Sequence, residues 1–293
     1  MTAAALRPPM PYFGSKQTIA EQIVSLLPDH QHYVEPYAGS LSVLLSKSRA
    51  KMETVNDLDD RLMTFWRVLR DQGDELARVC ELTPHSRAEY VACRDAEPTD
   101  DQVETARRVW VLLTQSRGGA SRGKQSGWRY YLDPTSTSIG FPRYLDGYRD
   151  RMPPAALRLQ GVSLESMPAM DLIRKYGSCP DVLLYVDPPY LGSLRAGNRY
   201  RHEMRSDAEH RELGEALRSA AAAVVLSGYP SELYDRELFP DWSRVEIASM
   251  TGNGGGQRER TEVIWSNRPI GRPDDLFDLF TLDTGSNASG GAA

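Results

Sequence analysis

The stretch Leu183-Leu184-Tyr185-Val186-Asp187-Pro188-Pro189-Tyr190 constrains this chain more than any other. A short apolar run of strand-favouring residues ends in an acid, two prolines and a tyrosine. Neither proline has an N–H to give, so the ladder stops there, and Pro188 holds Asp187 extended. A carboxylate, a carbonyl and an aromatic ring are thereby fixed at the end of a buried strand. In open α/β sheets that end is where ligands bind.

The arrangement suits a planar exocyclic amine such as the amino group of adenine. That group has two hydrogens to donate, and its lone pair is drawn into the ring. The Asp187 carboxylate and the Pro188 carbonyl would accept those hydrogens and raise electron density on nitrogen. Acceptors fixed in advance stabilise the positive charge that develops there. Tyr190 would stack on the ring face. The plain alternative is a strand closed by a Pro-Pro turn, with Asp187 as a cap.

Two more strand–turn units frame this one. Tyr33-Val34-Glu35-Pro36-Tyr37-Ala38-Gly39-Ser40-Leu41-Ser42-Val43 reads as a strand, a small-residue turn and a helix start, the opening of a nucleotide-type α/β fold. Val55-Asn56-Asp57 is a short strand ending in an acid, at about the 20-residue spacing from the glycine turn that suits ribose hydroxyls. Alternatively, Asp57 or Asp59 caps the helix through Leu62, Phe65, Trp66 and Leu69. Glu35 is a second candidate acid, for an amino group. Ahead of these lies Pro11-Tyr12-Phe13-Gly14-Ser15-Lys16, before a helical pattern carried by Ile19, Ile23, Leu26 and Leu27. An aromatic, a glycine and a lysine before a helix suit an anionic or planar ligand, or else a tight turn with a solvated lysine. Residues 1–9 read as a loose arm.

From Gly73 to about Arg158 the α/β rhythm gives way to helices over Leu76 to Leu82, Arg87 to Cys93 and Val103 to Leu113. The rhythm resumes with Val162 to Glu165, a helix from Met170 to Tyr176, the Asp187 strand, a helix from Asp207 to Ala221 and a strand at Ala223 to Ser227. Val245 to Ala248 and Val263 to Ser266 look like an antiparallel close. This organisation predicts a Rossmann-like α/β sheet from residues 10–72 and 159–268, a mainly helical insert at 73–158, and a polar, disordered tail at 269–293.

The net charge of −5 does not suggest a partner of strong negative charge, but the average hides an asymmetry. Between Arg107 and Arg158 the chain carries ten Lys and Arg residues against Asp133, Asp146 and Asp150. Within it, the glycine-rich stretch from Ser116 to Tyr131 interleaves Arg117, Arg122, Lys124 and Arg129 with Trp128 and Tyr130. Such a mixture suits phosphate contact and base stacking; the bland alternative is a solvated loop. A second basic loop, Leu191 to Arg205, reads as a lid or strand-contacting loop. Cys80, Cys93 and Cys179 lack metal-like spacing and read as reduced thiols, and His30 and His32 read as a surface pair, so no metal site is expected. The longest apolar runs are too short to cross a bilayer and no signal peptide is visible, which points to a cytoplasmic protein.

Taken in order, these motifs resemble the D12 class of amino-directed DNA methyltransferases, the DNA adenine methylase family. Tyr12 to Lys16 looks like its N-terminal cofactor motif, Glu35 to Gly39 its first-strand motif, and Asp187-Pro188-Pro189-Tyr190 its catalytic tetrapeptide. Val225 to Tyr229 and the Glu262 to Asn267 strand look like its later motifs. The family's first-strand motif usually has a second glycine, where this chain continues Ser40-Leu41. Gln115 to Gly119 matches the family's middle region poorly.

The resemblance implies S-adenosylmethionine as methyl donor, double-stranded DNA as partner, a flipped adenine as acceptor and action as a monomer or weak dimer. It implies cofactor contacts from Tyr12, Lys16, Glu35, Pro36, Gly39, Asp57, Glu165 and Asp187, catalysis at Asp187 to Tyr190, and a target-recognition role for the insert at 73–158; within that insert the basic stretch itself offers Arg117, Arg122, Lys124 and Arg129 as the DNA contacts. Cytosine N4 as acceptor, a protein or RNA amino group, and a non-enzymatic nucleic-acid binder on the same scaffold are the competing readings.

Overall fold

The computed structural model describes residues 5–117, 127–130, 140–190, 204, 206–252 and 257–270, with backbone alone at 249–252 and 257–260. One seven-stranded sheet organises it, in the order β3-β2-β1-β4-β5-β7-β6. The strands are β1 (His32–Glu35), β2 (Met52–Asn56), β3 (Val162–Glu165), β4 (Val182–Val186), β5 (Ala223–Gly228), β6 (Ser243–Gly252) and β7 (Gln257–Ser266). The first five are parallel, and β7 returns antiparallel between β5 and β6, as the sequence predicts. Successive strands step outward from β1 to β3 on one side and from β4 to β5 on the other. The direction reverses between β1 and β4, which opens a crevice at their carboxyl ends.

All five residues of β4 are buried, which is why this strand reads as an unbroken apolar run. Side chains alternate between the faces. Tyr33, Leu183, Tyr185, Val225 and Ile264 enter one core, and Val34, Leu184, Val186, Val224 and Trp265 enter the other. On the first face, four strands turn polar as they near the crevice. Leu183 and Tyr185 lead to Asp187, Tyr33 to Glu35, Val225 to Ser227, and Ile264, on the antiparallel strand, to Glu262.

The helices are α1 (Ala20–Ser25), α2 (Ser42–Ser46), α3 (Asp60–Asp71), α4 (Gly73–Leu82), α5 (Arg87–Asp95), α6 (Gln102–Thr114), α7 (Phe141–Arg149), α8 (Met152–Leu159), α9 (Ala169–Gly177) and α10 (Asp207–Arg218). Asp59, Ser86, Asp101 and Ser206 start α3, α5, α6 and α10 by accepting a first-turn N–H. At Ser206 the bond is reciprocated through Glu209. Helices α7 and α8 are absent from the sequence reading. Both carry proline in the first turn, where its missing N–H costs nothing, so a residue that elsewhere breaks helices here begins them. A single π-helical turn, Leu233–Leu238, is likewise not foreseen.

Helices α4–α8 lie between α3 and β3 in the chain and share the first core with the sheet. Trp110, Val111 and Leu113 of α6 are buried in the same cluster as Leu62, Phe65 and Leu69 of α3. The N-terminal arm is anchored there rather than loose in its described part. Trp110 Nε1 donates to the Pro9 carbonyl at 3.2 Å, and Arg151 donates to that of Pro8 at 3.1 Å. Residues 1–4 and most of the 269–293 tail lie outside the described residues.

A buried ion cluster ties α8 to the sheet. The Glu53 carboxylate accepts two bonds from Arg158, at 2.5 and 2.8 Å, and one from Lys47 at 2.8 Å. Burial alone would raise the Glu53 carboxyl, but the two cations hold it below its ordinary value. Glu53→Gln leaves two buried cations facing each other. It is expected to cost about 3–5 kcal/mol, read as a lower urea midpoint with an unchanged slope; an unaltered midpoint would refute this account.

Candidate active site at the strand-order reversal

The crevice between β1 and β4 is a cleft of about 340 Å³. Tyr12, Lys16, Glu35, Pro36, Gly39, Asp57, Asp187 and Pro189 line it. Glu165, Pro188 and Tyr190 do not. After β3, the cleft is instead lined by Pro168, Ala169 and Met170. The sequence reading named Glu165 here instead, the last residue of β3 and three residues before Pro168.

Lys16 sits at the centre of the polar groups. It is 6% exposed, so the solvated lysine offered as an alternative is not what the fold produces. Its Nζ donates to both oxygens of Asp187, at 2.7 and 2.6 Å, to the Gly14 carbonyl at 3.1 Å, and to the Tyr190 hydroxyl. Three serine hydroxyls fasten this arm to the turn after β1: Ser15 lies 2.9 Å from both Ser40 and Ser42. Burial works against the Lys16 ammonium, but Asp187 and Glu262 outweigh it and hold the amine above its ordinary pKa. Burial also pushes the Asp187 carboxyl up, to about 6, with Lys16 pulling it down.

Tyr190 is turned inward. At 7% exposure, its ring packs 4.4 Å from that of Tyr229, and its hydroxyl donates to Glu262 at 2.7 Å. Ser227 donates to the same Glu262 oxygen at 2.7 Å. The stacking face expected of Tyr190 is thus packed against protein in this structure.

The turn after β1 is held from three sides. Gly39 has φ +47° and its amide donates to Asp57 at 3.0 Å, while its carbonyl accepts from Trp66 at 3.1 Å. A Cβ at Gly39 would stand 3.2 Å from the Tyr12 ring, so both backbone angle and space favour glycine. Asp57 accepts from Asp59 N–H with its other oxygen, and the cap of α3 is Asp59. Asn56, fully buried, donates to the carbonyls of Pro36 and Met167 and accepts from Met167 N–H, joining the loops after β1 and β3. Leu41, in the segment where the resemblance would place a glycine, is left-handed at φ 55° and fully buried. That backbone costs about 1–2 kcal/mol, which burial of a leucine, at about 1.5–3 kcal/mol, offsets. Glu35 accepts from Tyr33 at 2.6 Å and from the Leu44 N–H at 2.9 Å; burial pushes its carboxyl up to about 7.

Of the cations expected to meet a polyanion, Arg122 and Lys124 lie outside the described residues, as does all of the Leu191 to Arg205 loop except Met204. Arg117 and Arg129 flank a short antiparallel pairing of Ser116 with Trp128. Their guanidinium groups lie 4.6 Å over Tyr130 and 4.7 Å over Tyr144. Arg87, which sequence reasoning missed, covers Trp128 at 4.9 Å and Tyr130 at 5.2 Å. The basic excess is smaller than the count suggests. Arg107 and Arg108 pair with Glu104, Arg107 also with Glu89, and Arg158 with Glu53. All three acids fall outside the window in which charge was summed.

The cleft suits a cationic ligand with hydroxyls. Among the described residues, Glu35, Asp57, Asp59, Asp187, Glu209 and Glu212 line it, against Lys16 alone of the Lys and Arg side chains. Two residues before Asp187 on the same face, Tyr185 also lines the cleft, with a buried hydroxyl that makes no hydrogen bond of ordinary geometry. Among the described residues, no group of three or more His, Cys, Asp or Glu side chains could hold a metal ion, and no helix is long and apolar enough to cross a membrane.

A sheet reversing at an acid followed by Pro-Pro-Tyr, above an acidic cleft, belongs to a definable class. The chain is a member of the D12 class N6 adenine-specific DNA methyltransferase family, whose model matches residues 12–250. It is therefore an S-adenosylmethionine-dependent methyltransferase. A comparison with curated proteins found no match. Solved structures give distant likenesses. Precorrin-8w decarboxylase of Methanobacterium thermoautotrophicum has a TM-score of 0.37 at 9% identity, covering 91% of this chain and 97% of that one. A Streptococcus mutans protein described as a methyltransferase, in complex with SAH, has 0.35 at 9% identity, covering 87% and 99%. The rRNA methyltransferase aviRa of Streptomyces viridochromogenes has 0.36 at 14% identity, covering 88% and 87%.

Lys16→Met removes the cation that pulls Asp187 down while leaving it buried beside Glu262. The Asp187 carboxyl is expected to titrate at higher pH in the variant than in the wild type, followed by carbon-13 NMR of labelled aspartate. A midpoint that stays or falls would show that Lys16 does not govern Asp187.

Proposed function

We propose that this enzyme methylates adenine N6 in double-stranded DNA after the base has left the helix, with Asp187 and Pro188 accepting the two hydrogens of the target amine. The observation that carries the reading is the position of Asp187. It follows the last residue of β4 at the reversal of strand order, it faces the acidic cleft, and it lies within the matched family segment. Tyr12, Glu35, Pro36, Gly39 and Asp57 would hold the cofactor, Asp57 at the ribose. Pro168 to Met170, on the cleft wall, take the place of Glu165, which does not line the cleft.

S-adenosylmethionine supplies an electrophilic methyl on a sulfonium. The chain's own residues do the rest. Asp187 and Pro188 orient the amine and stabilise the positive charge that grows on nitrogen, and the surplus proton leaves afterwards, so no strong base is required. Drawing the base out costs a few kcal/mol. Arg117 and Arg129, with Arg122 and Lys124, would meet phosphates, and the Arg87, Trp128 and Tyr130 surface adds stacking area. Action as a monomer fits, since one strand is modified per event. Three free thiols, Cys80, Cys93 and Cys179, fit a reducing, cytoplasmic setting.

The test mixes enzyme, labelled S-adenosylmethionine and unmethylated duplex DNA, then separates the nucleosides. Label is expected in N6-methyladenine, and Asp187→Asn is expected to lose about 10²–10³-fold in rate. Label in N4-methylcytosine would keep the mechanism and overturn the base; no label with any nucleic acid would overturn the reading. The Asp187 carboxyl accepts best when ionised. Activity in kcat/KM should therefore rise with pH through an apparent pKa near 6 and fall away below it.

A further inference from the structure

Both Asp187 oxygens are taken by Lys16, at 2.7 and 2.6 Å. An amine that donates to Asp187 competes with that ammonium for lone pairs. A buried lysine released from its partner needs another, because an unpaired charge is not tolerated in such a place. The structure holds one in waiting. The Glu262 carboxylate lies 3.6 Å from Lys16 Nζ, and both side chains are almost fully buried. The Tyr190 hydroxyl stands between them, accepting from Lys16 and donating to Glu262.

The acid at this position is not explained by hydrogen bonding alone. Glu262 accepts from the Tyr190 and Ser227 hydroxyls, and a glutamine oxygen would serve both. A carboxylate adds negative charge next to Asp187, which is unfavourable unless a cation is shared between them. The shared cation is Lys16. The titratable groups facing this cluster are Lys16 from the N-terminal arm, Tyr185 and Asp187 from β4 and its end, Tyr190, Tyr229 after β5, and Glu35 on the far side of Asp187.

We propose that Glu262 is a positioning residue for methyl transfer, fixing the motif tyrosine through its hydroxyl and taking over the Lys16 ammonium as Asp187 turns to the target amine. Lys16 then acts as a latch between two carboxylates. On Asp187 it occupies the acceptor; on Glu262 it frees it. No bond is made or broken in the exchange, and the charge of the cluster is unchanged. This inference rests on the assignment of Asp187 as the amine acceptor.

Glu262→Gln keeps the two hydroxyl contacts and removes the second seat for the ammonium. Three readouts separate a latch from a structural prop: single-turnover methyl transfer, its pH profile, and the carbon-13 titration of Asp187 in the free enzyme. Lys16 should stay on Asp187, so the plateau rate should fall about tenfold, the equivalent of one hydrogen bond to a charged group. The acid limb and the Asp187 titration should both move to lower pH, while S-adenosylmethionine binding holds. A variant with wild-type rate and an unmoved titration would overturn the proposal, as would a slower variant whose titration stays put. If the glutamine variant does not fold, Glu262→Asp decides: charge without reach should keep the wild-type acid limb and lose rate, and full wild-type rate would overturn the latch. Activity in the wild type keeps these outcomes distinct from failure of the functional reading; an inactive wild type would overturn both.

Discussion

The ion pair between Lys16 and Asp187 joins segments 171 residues apart and places a charged cluster where the sheet's strand order reverses. Charges so deeply buried persist only when matched, and the match here is distributed. One ammonium faces Asp187, Tyr190 and Glu262, and each of these is fixed by a different element: the end of β4, the Pro-Pro turn, and β7. The N-terminal arm is thereby part of the cleft wall. Its two contacts from Ser15 to Ser40 and Ser42 in the turn after β1 set the reach of Lys16.

A second set of neutral contacts holds the rim in shape. Asn56 ties two loops, Asp57 takes the Gly39 amide, and Trp66 takes the Gly39 carbonyl. These groups spend their hydrogen bonds on backbone, so their loss would act through loop geometry. The acidic side chains on the cleft wall are held by contacts of their own, Glu35 by Tyr33 and the Leu44 amide and Asp187 by Lys16. The division follows the sheet's alternation: on one face, β1, β4, β5 and β7 change from apolar to polar residues as they approach the crevice.

Much of this was legible before any coordinates. Strands read well because their apolar runs end in sharp punctuation, as at Asp187-Pro188-Pro189, and because the antiparallel close has its own β-branched residues. The Lys16 to Asp187 partnership was not legible, since nothing local in Gly14-Ser15-Lys16 marks the lysine as buried. Helices α7 and α8 hid behind prolines that serve as first-turn residues. Glu165 satisfied a pattern of strand-ending acids, yet the chain continues to Pro168 before it meets the cleft. The charge asymmetry overstated the free cations, because Arg107, Arg108 and Arg158 find carboxylates beyond any sequence window. Pairing across distance is what composition cannot express.

The continuity of the first core has a consequence for how such a chain can change. Helix α6 and helix α3 bury their large side chains in one cluster, and Trp110 of α6 also donates to the backbone of Pro9. The helices between α3 and β3 are therefore not a detachable cassette. Grafting that segment from a relative would import the wrong relief against α3 and unseat the arm that delivers Lys16. Change that spares this interior is confined to the outer rim of these helices, where exchange leaves the shared core intact.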